Sequence, residues 1–167
     1  MKKLEAPERL FVHVKLVGGA LEEIIGFLSR YNLPIDYNFA RLGVVLHDAG
    51  KIVHPLEFSE SGSKHEAEGN RLLLENGVAP ELAQCCISHA QYDGNECSIE
   101  ELLVALSDSL WKGTRAEKLE LKIVDKIAAL MGKERWDIFL ELDDCFESAA
   151  STGDIRLERS KNISNSL

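Results

Sequence analysis

The stretch APERLFVHVKLVGGALEEIIGFLSR (residues 6–30) carries Leu10, Val14, Val17, Leu21, Ile24, Ile25 and Leu28, mostly three or four residues apart. That spacing puts them on one face of an amphipathic helix over residues 6–30, and Asn32-Leu33-Pro34 breaks it. His13 lies three residues after Leu10 and four before Val17, so it shares the apolar stripe and points inward. The chain therefore starts with a helix that must bury one face and takes a polar group in with it.

Moving outward, the same period recurs. Ile35, Phe39, Leu42, Val45 and Leu46 define a second helix over 35–49, which stops at Gly50. Residues 51–62, with Pro55 and Gly62, read as a loop. Ser63-Lys64-His65-Glu66 matches a capping box, so the next helix starts there and ends near Gly77. Pro80 suits the first turn of a helix running through Leu82, Cys86 and Ile87 to about Gln91. Tyr92-Asp93-Gly94-Asn95 is a turn. Ser98-Ile99-Glu100-Glu101 is a second capping box, opening a helix through Leu102, Leu103, Leu106 and Leu110 to Trp111. Two more helices, 116–131 and 133–149, are separated at Gly132. No segment alternates as a strand would. The prediction is one all-α domain over residues 1–150, a compact bundle of about seven helices, with a polar, irregular C-terminal tail over 151–167.

The 167 residues are enough for a single domain with a real core. An apolar fraction of 45% and a charged fraction of 28% are those of a soluble globular protein. No run approaches the roughly 18 apolar residues of a membrane span, and Met1-Lys2-Lys3-Leu4-Glu5 turns polar where a signal peptide would turn apolar. The expected compartment is cytoplasmic, with no membrane partner. A net charge of -9 argues against nucleic acid as the main partner. It leaves room for a small anionic substrate, because a bound metal and a few cations can reverse the field inside one pocket. Cys85, Cys86, Cys97 and Cys145 form no CxxC pair, so they read as reduced thiols, mostly in the core.

The polar residues placed in apolar stripes carry the functional signal. His47 and Asp48 end the second helix beside Val44, Val45 and Leu46. Asp108 has Val104, Ala105 and Trp111 on its face, and His89 sits in the stripe of Leu82, Cys86 and Ile87. Any one of these has an ordinary explanation, since a single inward histidine is usually a hydrogen-bonded core residue. Buried carboxylates are costly without a partner. Several inward histidines and two inward aspartates are satisfied together by a divalent cation, held where helices converge.

The order of these residues resembles the HD superfamily of metal-dependent phosphohydrolases: a histidine, then a His-Asp pair, then an aspartate. It is carried by His13, by Leu46-His47-Asp48-Ala49-Gly50-Lys51, and by Asp108 within Ala105-Leu106-Ser107-Asp108-Ser109-Leu110-Trp111-Lys112, over roughly residues 8–116. The resemblance implies an HD-domain-like bundle in which His13, His47, Asp48 and Asp108 hold a first metal. Some branches add two histidines between the pair and the last aspartate, holding a second metal with the pair's Asp as the bridge. His65 and His89 occupy that interval. The cofactor expected is one or two divalent ions, with Mn, Mg, Fe, Co, Ni and Zn not distinguished.

Such a site suits hydrolysis of a phosphate ester in a small molecule or nucleotide, as a phosphomonoesterase or phosphodiesterase. Asp48 would bridge or orient the attacking water, and Lys51 would act with it as a catalytic residue. Lys51, His54, Lys112 and Arg115 are the candidate substrate-binding residues, each otherwise an ordinary surface group. Two other classes share these ligands. One is a di-iron oxygenase acting on a small metabolite, and the other a non-catalytic metal-binding regulatory module. The stripes Leu119, Ile123, Val124, Ile127 and Leu130, and Trp136, Phe139, Leu142 and Phe146, either complete the bundle or form a homodimer face. The acidic run Glu141-Leu142-Asp143-Asp144 reads as a solvated face.

Overall fold

The structure, a computed structural model, describes residues 5–94, 96–156 and 158. Among the described residues eight α-helices are defined in order: α1 (Glu8–Leu28), α2 (Tyr37–Leu46), α3 (Lys64–Glu75), α4 (Pro80–Ala83), α5 (Cys85–Ser88), α6 (Ile99–Leu110), α7 (Glu117–Met131) and α8 (Arg135–Ser151). There is no strand among the described residues, and no described helix is long and apolar enough to cross a membrane. α4 and α5 are single turns joined at Gln84, where the sequence predicts one helix to Gln91, so seven helical units remain when they are taken together.

α6 is the central element. Leu102, Leu103, Val104, Ala105, Leu106 and Ser107 are consecutive and all buried, as in a helix surrounded by others. α1, α2, α5, α7 and α8 all pack on it, and α1 also packs against α8. Gly43 makes the α2 approach feasible, since a Cβ there would lie 2.7 Å from Val104 Cγ2. The start of α6 is fixed by Ser98 and Glu101, whose side chains each take the other's backbone N–H, at 3.2 and 2.8 Å. Asp36 caps α2 by accepting from the amides of Asn38 and Phe39. Gly132 ends α7 at φ +64°, in the left-handed region that favours glycine.

A second, smaller core of Ala49, Leu73, Ala83 and Cys86 lies under α3, α4 and α5, with Leu46 and Val78 packed against it. Its seam is a close backbone approach. A Cβ on Gly50 would fall 1.8 Å from the His65 carbonyl oxygen, and one on Gly69 would fall 2.7 Å from Gly50 N. Two glycines thus let the Ala49–Ile52 turn lie directly on α3.

Three local expectations are corrected. The second helix leaves α geometry at Leu46, and Ala49–Ile52 and Pro55–Phe58 form 3-10 turns inside what reads as helix end and loop. Ser63 does not cap α3: its side chain makes no cap bond, and the amides of Lys64 and His65 donate to Glu57 at 3.3 and 3.1 Å. Glu66 is buried and accepts from Gln91 Nε2 at 2.5 Å instead of closing a box. Residues 153–156 are helical, and Arg156 is buried, donating to Ala149 O at 2.7 Å and pairing with Glu23. Most of the predicted tail, and Asn95 of the predicted turn, lie outside the described residues.

Candidate metal centre

His13 reaches inward from the second turn of α1, between Leu10 and Val17 of the buried stripe. His47 closes α2 with its amide still bonded to Gly43 O. Asp48 then turns the chain at φ -104°, ψ 18°, in the sparsely allowed bridge region. That turn lets two sequence neighbours address one point, with His47 Nε2 and Asp48 Oδ2 3.6 Å apart. His65 is in the first turn of α3, His89 ends α5, and Asp108 stands near the end of α6.

The six side chains form two groups. His13, His47 and Asp108 make the first, and Asp48, His65 and His89 the second. In the first, His13 Nε2 is 3.2 Å from His47 Nε2 and 3.3 Å from Asp108 Oδ1. Asp48 joins it through Oδ2, 3.0 Å from His13 Nε2. Its other oxygen, Oδ1, faces the second group, 3.3 Å from His65 Nε2 and 3.8 Å from His89 Nε2. Asp48 therefore lies between the two groups, one oxygen to each.

The donors fit a divalent cation. Atoms that bind one ion at about 2.1 Å and about 90–109° lie roughly 3.0–3.4 Å from one another, close to the spacing here. Asp48 Oδ1 is buried and has no hydrogen bond, an arrangement that costs several kcal/mol unless a positive charge answers it. Three imidazoles are held from behind: His47 Nδ1 by Val44 O at 2.8 Å, His89 Nδ1 by Cys85 O at 3.1 Å, and His65 Nδ1 by Glu57 at 2.6 Å. Each bond puts the proton on Nδ1 and leaves the Nε2 lone pair available to a cation. The donors are nitrogen and oxygen only, since Cys86 Sγ bonds to Leu46 O and burial pushes its thiol up to about 12. These buried His and Asp groups could hold a metal ion.

Electrostatics within the cluster are strong. Burial pushes the Asp48 and Asp108 carboxyls up, yet the surrounding histidines hold both well below the usual carboxylate range. Burial lowers His13, but its bonds to Asp108 and Asp48 outweigh that and raise it to about 9. His89 has no such bond, so burial and the charge of His47 push it down to about 4. The first group is the more open, with Asp108 25% exposed against 2% for Asp48. Trp111 sets its ring edge-on to His13, at 5.2 Å between centroids, and its buried Nε1 has no hydrogen-bond partner.

All six predicted ligand positions come together. Lys51 does too, with Nζ 2.6 Å from Asp48 Oδ2. Three candidate substrate contacts do not. His54 makes none of the contacts among the six donors, and its buried Nε2 is unbonded. Lys112 is exposed, in a turn that packs against Gly153. Arg115 is committed to Glu120, Asp143 and Glu147, so its guanidinium ties α7 to α8 and is not free for an anion. Asp143 of the predicted solvated run is thus an ion-pair partner. Glu57 was not foreseen, because it stands eight residues before His65 in a segment without periodicity, and no sequence signal marks it. A comparison with protein-family models, curated proteins and solved structures finds no match to the chain.

Proposed function

We propose that the chain is an HD-type metal-dependent phosphohydrolase, acting on a phosphate ester of a small molecule or nucleotide. The observation that carries the reading is Asp48, buried, with one carboxylate oxygen toward each of two His-rich donor groups. The order of the same residues along the chain supports it, as does the Leu46–Lys51 segment that resembles the HD signature. His13, His47, Asp48 and Asp108 would hold a first divalent ion, and Asp48, His65 and His89 a second. Such ions lower the pKa of water and draw charge from a phosphoryl oxygen.

The chain's own residues do the rest. Val44 O, Cys85 O and Glu57 keep the Nδ1 proton on three imidazoles, so each Nε2 presents a lone pair. Asp48 stays ionised, held there by the histidines around it. Lys51 supplies a positive charge beside Asp48 for an anionic substrate, and the more exposed Asp108 side gives access.

The test is elemental analysis of protein purified without chelator, followed by phosphate release from a panel of small phosphate esters. One or two Mn, Mg, Co, Ni or Zn ions per chain with release, both abolished in Asp48→Asn, is the expected result. Two iron ions with turnover dependent on O2 would replace hydrolysis by oxygenase chemistry. No bound metal, and none regained on adding divalent ions, would refute the metal centre and leave a helical binding module.

A further inference from the structure

We propose that Glu57 is the positioning residue for His65, and that it decides whether the inner cation position of Asp48, His65 and His89 forms. The inference rests on the metal-centre reading above and adds a residue to it. Glu57 lies on the Pro55–Phe58 turn, and its carboxylate makes three contacts on α3. Oε1 accepts the amide of Lys64 at 3.3 Å, and Oε2 accepts both the amide of His65 at 3.1 Å and its Nδ1 at 2.6 Å.

Two consequences follow from one carboxylate. It caps α3 in place of Ser63, and it fixes the imidazole so that Nε2 faces Asp48 Oδ1 at 3.3 Å. The other inner histidine needs no such help, because Cys85 O, on its own helical turn, holds His89. Room for the carboxylate is provided by Gly62, where a Cβ would fall 2.5 Å from Glu57 Oε1. The turn is itself fastened: Arg9 donates to Phe58 O at 3.1 Å, and Lys51 Nζ lies 5.6 Å from the centre of the Phe58 ring. The inner position is thus built by a side chain from outside the six donors, on a turn anchored to α1.

Capping and orienting can be separated. Asp36 shows how this chain caps a helix in cis, so Ser63→Asp added to Glu57→Ala supplies a cap for α3 without an acceptor for His65 Nδ1. Cation-stripped full-length protein is titrated with Mn2+ by calorimetry, with ions per chain counted by elemental analysis and thermal melting recorded alongside. The wild type should take two ions. Glu57→Gln, Glu57→Ala and Glu57→Ala/Ser63→Asp should keep the first and bind the second roughly 10–100-fold more weakly, and the double variant should melt close to the wild type. Two ions at wild-type affinity in the double variant would make Glu57 a cap only and overturn the inference. So would a wild type that takes a single ion. A wild type that binds no ion at all would overturn the metal centre itself, a failure distinguishable from the other two.

Discussion

His13 owes its charge to its neighbours. Its pKa is raised from 6.5 to about 9 by Asp108 and Asp48, against a burial effect of opposite sign. A group raised on folding adds stability that is fully present below the unfolded value and is lost as pH rises through the folded one. In chelator-treated protein, the stability that His13 adds should be complete below about pH 6.5 and fade towards about pH 9. Urea unfolding of wild type and His13→Gln across that window checks it: the gap between them should shrink with rising pH. A constant gap would mean that His13 is not protonated in the folded, cation-free protein. The inward placement of His13 and Asp108 was legible because helical periodicity assigns a face without reference to the rest of the fold, whereas Asp48 reaches the cluster through a turn outside α geometry. Arg115, expected at the site, pairs instead with Glu120, Asp143 and Glu147, because nearness to Asp108 in sequence carries no information on where a long side chain points after the turn at Gly113.

Elements differ in how they are started, and stability should follow. Ser98 caps α6 through its hydroxyl, whereas Ser63 stands at the start of α3 with no cap bond. Ser98→Ala should therefore cost about 1 kcal/mol in urea unfolding, and Ser63→Ala close to nothing. Equal losses would mean that the two serines do the same work. Both serines sit in the same sequence pattern, so the distinction depends on Glu57, a residue that only the folded chain brings near. The seam between Ala49–Ile52 and α3 is the second element-level feature. Gly50→Ala sets a methyl group where the His65 carbonyl lies, and overpacking of this kind costs roughly 1–3 kcal/mol. Since the displaced backbone carries His65, a lower denaturation midpoint should be accompanied by weaker binding of the second cation. An unchanged midpoint would show that the two segments separate freely.

Across the whole molecule, the donors come from α1, α2 with the turn that follows it, α3, α5 and α6, while α7 and α8 contribute none. The latter pair is joined to the remainder through the shared core and by Arg156, whose guanidinium links Glu23 of α1 to Ala149 of α8. Arg156→Met, which keeps the bulk and removes the donors, should lower the melting temperature by several degrees while leaving cation stoichiometry unchanged; a lost cation would show that this clasp also shapes the centre. An arginine that far along the chain reads as tail because no periodic pattern surrounds it.

Lys51 has its own consequence. Without a cation, Asp48 Oδ2 is paired with the Lys51 ammonium and with His13, and Asp108 Oδ1 with His13, while Asp48 Oδ1 has no hydrogen bond. On the proposed reading, a divalent ion taking these donors would displace the His13 proton and compete with Lys51 for Asp48 Oδ2. The ammonium would then be free to meet an anion only once Asp48 had been taken by the ion. Readiness for substrate and readiness of the metal would become a single event, reported by one lysine.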